Sequence, residues 1–157
     1  MTKSSLFKLV ETVTSAPGYT RNVGARVLMA EAGHVELALD RRPDLLQFNG
    51  FFHGGVVAGL ADHAAGGAVT TAMPKGRFAV TVCLQVNFLA PANGEMLIAR
   101  AKAIQAGSTI GVAQVDVISL ADGVETPCAV ATVTLRAVDM PARLAEHDPE
   151  KCVAVFP

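Results

Sequence analysis

The stretch from Phe51 to Met73 constrains the fold more than any other part of this chain. It reads FFHGGVVAGLADHAAGGAVTTAM, and almost every residue is apolar or glycine. A helix over about residues 54–73 would be apolar around most of its circumference, which is typical of a buried helix. The remaining chain is therefore expected to wrap around it. Its interior glycines, which would let a sheet approach the helix backbone closely, are Gly59, Gly66 and Gly67.

Segments with strand patterns lie on both sides of this helix. In residues 78–90 apolar side chains alternate with small or polar ones, which is the clearest period-two pattern in the chain. Turn-forming residues separate the other segments. Upstream, apolar spacing predicts a helix over residues 4–15, and a helical turn is expected near 44–47. Strands are predicted over residues 23–31, 34–40, 78–90, 95–105, 109–120 and 124–137.

This order of elements predicts an α+β fold in which an antiparallel sheet is wrapped around one long central helix, the arrangement called hotdog. The chain has 157 residues, enough for one domain with a real core. We therefore expect a single domain over residues 1–157. Its core would cover about 20–137, preceded by the helix over about 4–15 and followed by a tail over about 138–157.

The charge content limits the partners of the chain. Charged residues make up 17% of the sequence and the net charge is −1, whereas globular domains usually contain about 25% charged residues. No basic stripe is present, so a nucleic-acid partner is not expected. This low charge content would leave much of the surface of a small monomer without charged residues. We therefore expect part of the surface to be buried in an oligomer.

The sequence argues against a membrane span and for a cytoplasmic protein. The longest apolar stretch is interrupted by Asp62 and His63, and the N-terminal residues do not resemble a signal peptide. The cysteines are odd in number and widely spaced, which is typical of reduced thiols in the cytosol. They are Cys83, Cys128 and Cys152.

Asp62 is the unusual residue of the apolar stretch. A carboxylate in such a helix is costly to bury unless it is paired or used. Nine residues upstream stands His53, followed by Gly54 and Gly55. The first amides of a helix are unsatisfied and lie at the positive end of its dipole, and glycines expose them without an obstructing side chain. The combination indicates an active site.

The spacing between His53 and Asp62 predicts how such a site is assembled. Nine residues at about 100° each place Asp62 about 180° around the helix from His53 and about 13 Å further along it. Both residues cannot line one pocket of one chain. If both act, a second subunit supplies one of them, so the spacing predicts a homodimer with active sites at the interface.

Two runs resemble a known family. N-G-F-F-H-G-G-V-V-A-G-L-A-D-H-A and A-V-T-V-C-L-Q-V-N-F-L-A-P-A-N-G are similar to the hotdog-fold thioesterase superfamily, and most to acyl-CoA thioesterases of the phenylacetate-degradation type. The resemblance covers roughly residues 20–137. It implies hydrolysis of an acyl-CoA thioester to a carboxylic acid and CoA by a homodimer, often paired into a homotetramer, with no cofactor or metal.

The resemblance also implies residue roles. Asp62 would be the general base or nucleophile, and the Gly54 amide would stabilise the oxyanion. Gln47 and His53 would position the carbonyl or the attacking water. Where some members carry Ser or Thr one turn beyond the acid, this chain has a glycine, and no basic residue follows Gly107 to contact the phosphates of CoA. The expected substrate-binding residues are Gly55, Thr81 and Gly66.

Other interpretations remain open at this point. His53 could only cap the helix, Asp62 could be a structural hydrogen-bonding group, and His63 is expected to pack in the core or an interface. A non-catalytic acyl-CoA or lipid-binding module would keep the pocket without needing the acid. A hotdog acyl-thioester dehydratase is a further alternative, although its motif is absent. Metal binding is not expected, because the histidines, including His34 and His147, show no paired ligand spacing.

Overall fold

The computed structural model describes residues 4–142, and most of the predicted C-terminal tail lies outside this range. Within it, three α-helices and six β-strands follow one another. The helices are α1 (Ser5–Ser15), α2 (Tyr19–Val23) and α3 (Gly54–Ala72). The strands are β1 (Arg26–Glu31), β2 (His34–Asp40), β3 (Arg77–Phe88), β4 (Met96–Ala106), β5 (Ile110–Ala121) and β6 (Val124–Asp139).

The strands form one antiparallel sheet in the order β1-β2-β4-β5-β6-β3. The helix α3 contacts all six strands. Its alanines at positions 61, 64, 65 and 68 are fully buried, and small side chains let a sheet curve closely around a helix. The α+β hotdog fold that the element order predicted is therefore confirmed.

The opposite side of α3 is covered by the N-terminal helices. A side chain at Gly59 would overlap the ring of Tyr19 in α2. At Gly67, a Cβ would lie 3.3 Å from a methyl group of Val35 in β2. At Gly66, it would meet only a methyl group of Leu135, at 4.0 Å. The three glycines were expected to let the sheet approach the helix backbone closely. This is right for Gly67 and wrong for Gly59, which packs against α2, while Gly66 borders open space.

Some predicted boundaries differ from those observed. The first strand was expected from residue 23, but α2 occupies Tyr19–Val23 and is ended by Gly24, whose φ of 83° is left-handed. The helical turn expected at 44–47 is a 3-10 turn over Pro43–Leu45, because proline favours the first helical position. The last strand continues to Asp139, two residues into the predicted tail.

The strand β3 forms one edge of the sheet and is exposed along most of its length. Val82 is 64% exposed and Phe88 58% exposed. Native proteins seldom leave a long apolar edge strand unpaired, because its free backbone groups invite another strand. Among the helices that the structure describes, none combines the length and hydropathy needed to cross a bilayer.

Candidate active site

Asp62 lies half-buried on α3 and is paired with Thr81. The Thr81 hydroxyl donates a hydrogen bond to Asp62 Oδ1 at 2.7 Å. Two features of β3 bring Thr81 to this point. The backbone amide of Ala79 donates to Thr70 Oγ1 at 3.1 Å and ties β3 to α3, and the pairing of β3 with β6 shifts register directly after Thr81. Thr81, which was expected among the substrate-binding residues, therefore lies next to the acid.

Asp62 and Thr81 line a cavity of about 170 Å³ between α1, α3 and β3. Gly66, which was expected to contact substrate, lines the same cavity one turn beyond the acid. The other walls are mostly apolar and come from all three elements: Leu9, Val10, Val13, His63, Gly67, Thr70, Phe78 and Ala79. We call this space the α1 cavity.

His63 also lines the α1 cavity, where the sequence predicted only a packing or interfacial role. Its Nε2 lies 2.9 Å from Thr14 Oγ1. Because that hydroxyl donates to the carbonyl of Val10 at 2.7 Å, the hydrogen bond network assigns the proton to Nε2. Burial lowers the pKa of His63 below its ordinary value of 6.5, and the charge of Asp62 opposes this shift. His63 is therefore neutral at pH 7.

The N-terminus of α3 lies at the other end of the site. His53 is the N-cap residue, and its Nδ1 accepts a hydrogen bond from the Gly55 amide at 2.9 Å. The capping interpretation of His53 is thus observed, and the Gly55 amide is already engaged. Among residues 4–142, the Gly54 amide has no hydrogen-bond partner. One of the two glycine amides therefore remains open to a ligand.

Gln47 and Gly54 line a second cavity, of about 490 Å³, which we call the tip cavity. The ring of Phe88 lies over Gly54, 3.2 Å from where a Cβ would stand. Cys128 also borders this space, but burial raises the pKa of its thiol to about 11. A thiol that stays protonated is a poor nucleophile. Cys128 is therefore a poor candidate for a nucleophile, and the amide groups of Gly54 and Gln47 are the polar candidates at this tip.

Arg41 holds the loop that leads to this helix tip, a role that no sequence pattern indicated. Its guanidinium donates to the carbonyls of Asn93 and Gly94 at 3.1 and 3.2 Å, and to the carbonyl of Gly50. It also lies 6.0 Å from the centre of the Phe52 ring. Side-chain to backbone bonds across loops follow no local periodicity, so only the tertiary structure reveals them.

The two groups of site residues are separate on one chain. The α1 cavity holds Asp62, Thr81 and Gly66, whereas the tip cavity holds Gln47 and Gly54, and the two share no lining residue. This matches the opposite positions around α3 that the nine-residue spacing predicted. No group of three potential metal ligands occurs between residues 4 and 142, and His147 and Cys152 lie outside that range.

A hotdog fold with a carboxylate on the central helix and an open amide at its N-terminus fits a thioester hydrolase, and comparisons with known proteins give this class. A family model of the Thioesterase superfamily matches residues 49–126. A candidate esterase of Halobacterium salinarum is 36% identical over 119 residues, which are 73% of this chain and 78% of that protein. The chain belongs to the thioesterase superfamily, and it is a thioester hydrolase.

Comparison with solved structures supports the same family. A thioesterase family protein from Silicibacter pomeroyi is 34% identical with a TM-score of 0.79, covering 85% of this chain and 97% of that one. A single-residue variant of the phenylacetic acid degradation protein PaaI from Thermus thermophilus is 26% identical, with a TM-score of 0.63. The match covers 74% of this chain and 95% of that one. A Streptococcus mutans protein bound to acetyl CoA is 26% identical with a TM-score of 0.66, covering 74% and 90%. The resemblance to the thioesterase superfamily is thus confirmed, and the similarity extends to a phenylacetic acid degradation protein.

Proposed function

We propose that this thioester hydrolase is an acyl-CoA thioesterase whose active sites are each completed by two subunits. The observation that carries the proposal is the division of the site. The hydrogen-bonded acid lies in the α1 cavity, and the open Gly54 amide lies in the tip cavity. Neither group can stabilise the transition state of hydrolysis alone. Joining the acid of one subunit to the helix tip of its partner provides both.

The residues divide the reaction as follows. Water attacks the thioester carbonyl carbon while Asp62 accepts its proton, and the Gly54 amide donates to the oxyanion that forms. The tetrahedral intermediate then expels the CoA thiolate, which takes the proton that Asp62 accepted, and the acid product leaves. Direct attack by Asp62, followed by hydrolysis of the anhydride, uses the same groups. Gln47 and His53 position the carbonyl or the water, and Gly55 shapes the tip through its bond to His53.

The edge strand β3 supports a homodimer. It carries Thr81 and ends beside the tip cavity at Phe88. Its exposed apolar side chains, such as Val82 and Leu84, would be buried if two copies of the edge met. Such pairing would bring residues of a second subunit to the strand whose Thr81 donates a hydrogen bond to the acid. We further propose that two such dimers can form a homotetramer.

CoA thioesters are the proposed substrates. The acetyl CoA bound to the Streptococcus mutans neighbour supports this choice. Cys83 and Cys128 are free thiols, which agrees with the proposed cytoplasmic location. The proposed reaction calls on no metal or cofactor, because the acid and the amide supply the base and the oxyanion donor.

The test is release of free thiol from a panel of acyl- and aryl-CoA substrates by wild type and variants. Asp62→Asn should reduce kcat strongly. Gly54→Pro removes the amide hydrogen at a position where proline is tolerated, and His53 already has the extended ψ of 138° that proline requires of its predecessor. We expect kcat to fall about 10²- to 10³-fold.

The matched control is Gly54→Ala, which adds a Cβ against Phe88 but keeps the amide hydrogen. It should keep most of the wild-type activity, whereas Gly54→Pro should lose it. Equal thiol release by wild type and Asp62→Asn would refute the assigned chemistry. Binding of acyl-CoA without thiol release would instead favour a binding module, and formation of an enoyl thioester would favour a dehydratase.

A further inference from the structure

The helix α1 covers the side of α3 that carries Asp62. Val10 and Thr14 are buried against α3, while Leu9 and Val13 reach into the α1 cavity. The contact between Thr14 and His63 pins α1 next to the acid. The helix is also capped at its start, where Ser4 Oγ accepts from the amide of Phe7 at 3.1 Å. The wall that α1 provides is therefore fixed in position.

The α1 cavity extends along α3 away from the acid. It follows α3 from Asp62 to Thr70, eight residues or about 12 Å. There the bond from the Ala79 amide to Thr70 Oγ1 joins β3 to α3, and Phe78 lies alongside. The walls beyond the acid are mostly apolar. Such a space accepts an uncharged group and rejects a charged one.

The size of the cavity limits what can enter. A dry apolar cavity of about 150 Å³ accepts a benzene molecule, and the α1 cavity measures about 170 Å³. The nucleotide and phosphates of CoA are larger and charged, so they cannot be the part that enters. An acyl group of about six carbon atoms fits, with its carbonyl beside Asp62 at the near end.

We propose that the α1 cavity receives the acyl group and that α1 sets the upper limit on its size. This inference rests on the proposed thioesterase function. Leu9 and Val13 on α1, together with Phe78 on β3, are the specificity-determining residues. Substrates whose acyl groups contain about six carbons or fewer are preferred, and longer chains are disfavoured because a cavity of about 170 Å³ beside α1 leaves little room for them.

Gly66 gives an independent way to change the same space. A Cβ built there meets only Leu135 Cδ2, at 4.0 Å, so alanine fits without moving the helix or the sheet. The added methyl group would occupy the cavity one turn beyond Asp62. Narrowing the cavity at this point should lower activity on branched acyl groups more than activity on acetyl and propionyl groups.

The experiment measures kcat/KM over straight-chain acyl-CoA substrates from two to twelve carbons. For Leu9→Ala we expect the preferred length to increase by about two to three carbons, the size of the deleted side chain. The ratio of octanoyl to butanoyl activity should rise at least about tenfold. Leu6→Ala is the matched control, because it makes the same change on the same helix outside the cavity and should leave the profile unchanged.

Gly66→Ala supplies the opposite change and should lower the ratio of 3-methylbutanoyl to propionyl activity, measured in the same way, at least about tenfold. If wild type hydrolyses thioesters but neither variant changes the acyl-group preference, the inference is wrong and the proposed function still stands. If wild type hydrolyses none of these thioesters, the proposed function fails. In that case the affinities of the same acyl-CoA series are measured by calorimetry for wild type and Leu9→Ala. The inference holds if the variant binds longer acyl groups best, and it is wrong if the preferred length does not change. Melting curves confirm that each variant is folded.

Discussion

The hydrogen bond between Thr81 and Asp62 orients the carboxylate of the proposed site. A hydrogen bond to a charged group contributes about 1.5–3 kcal/mol, and each 1.36 kcal/mol corresponds to about a tenfold change in rate. Thr81→Val keeps the shape of the side chain and removes the donor. We expect kcat to fall about 10- to 100-fold with KM nearly unchanged, whereas Thr81→Ser should retain most of the activity. Wild-type kcat in Thr81→Val would show that the bond is only structural.

His63 should make the folded state sensitive to acid. Its pKa is lowered in the folded state by burial, while the unfolded chain takes up a proton near the ordinary value of 6.5. The neutral imidazole of His63 therefore contributes fully to the stability of the folded state above about pH 6.5. This contribution is lost as the pH falls below that value. Asp62 opposes the shift, and Thr14 holds the imidazole from α1.

The measurement is the melting temperature of wild type and His63→Gln between pH 7.5 and pH 5. Glutamine can still donate to Thr14 but does not titrate. The wild-type melting temperature should fall more steeply towards pH 5 than that of the variant. Parallel curves would mean that His63 does not carry this pH dependence.

Sequence reasoning proposed several candidate site residues from their chemistry alone. An acid in an apolar helix and glycines at its start are local patterns, so Asp62 and Gly54 could be found without a structure. The engagement of the Gly55 amide by His53 and the place of His63 in the α1 cavity depend on side-chain rotamers and on helix α1. Those features follow from tertiary packing, which residue spacing does not encode.

At the scale of elements, close packing of α3 on the sheet depends on a glycine in β5. A side chain at Gly111 would collide with Val69 of α3 and lie 3.2 Å from Met73. Gly111→Ala should therefore lower the free energy of unfolding by about 1–3 kcal/mol, as overpacked cores do. Gly66→Ala is the matched control. It should be neutral or stabilising by up to about 1 kcal/mol, because alanine favours a helix over glycine.

Urea unfolding of the two variants checks this prediction. Equal losses of stability would contradict it, because they would mean that the space beside Gly66 is not open. The comparison also tests the basis for using Gly66→Ala as a probe of the α1 cavity.

The elements were predictable where their patterns were long. The alternation in β3 and the continuous apolarity of α3 cover a dozen residues or more, so period and burial could be recognised. The helix α2 has five residues and was missed, because one turn and a half shows no periodicity. Its position depends on Tyr19 packing against Gly59, a contact between distant parts of the chain.

At the scale of the whole molecule, the candidate site residues are divided between two cavities of one subunit. The acid and the open amide lie in cavities with no common lining residue, and the apolar edge of β3 is uncovered. The sequence predicted this division from a helix angle alone. How two copies meet, and whether pairs of dimers assemble, depends on surface shape, which a pattern of residue types does not specify.

Subunit complementation tests the shared site most directly. Asp62→Asn and Gly54→Pro are each expected to be nearly inactive, and the two are refolded together in equal amounts. In a mixed dimer the Gly54→Pro subunit supplies an intact Asp62 and the Asp62→Asn subunit supplies an intact amide, so one of its two sites works. Half of the dimers are mixed, so we expect about a quarter of wild-type activity in a symmetric homodimer. Activity no higher than that of the separate variants, in a mixture shown to contain mixed dimers, would contradict a site shared between two chains.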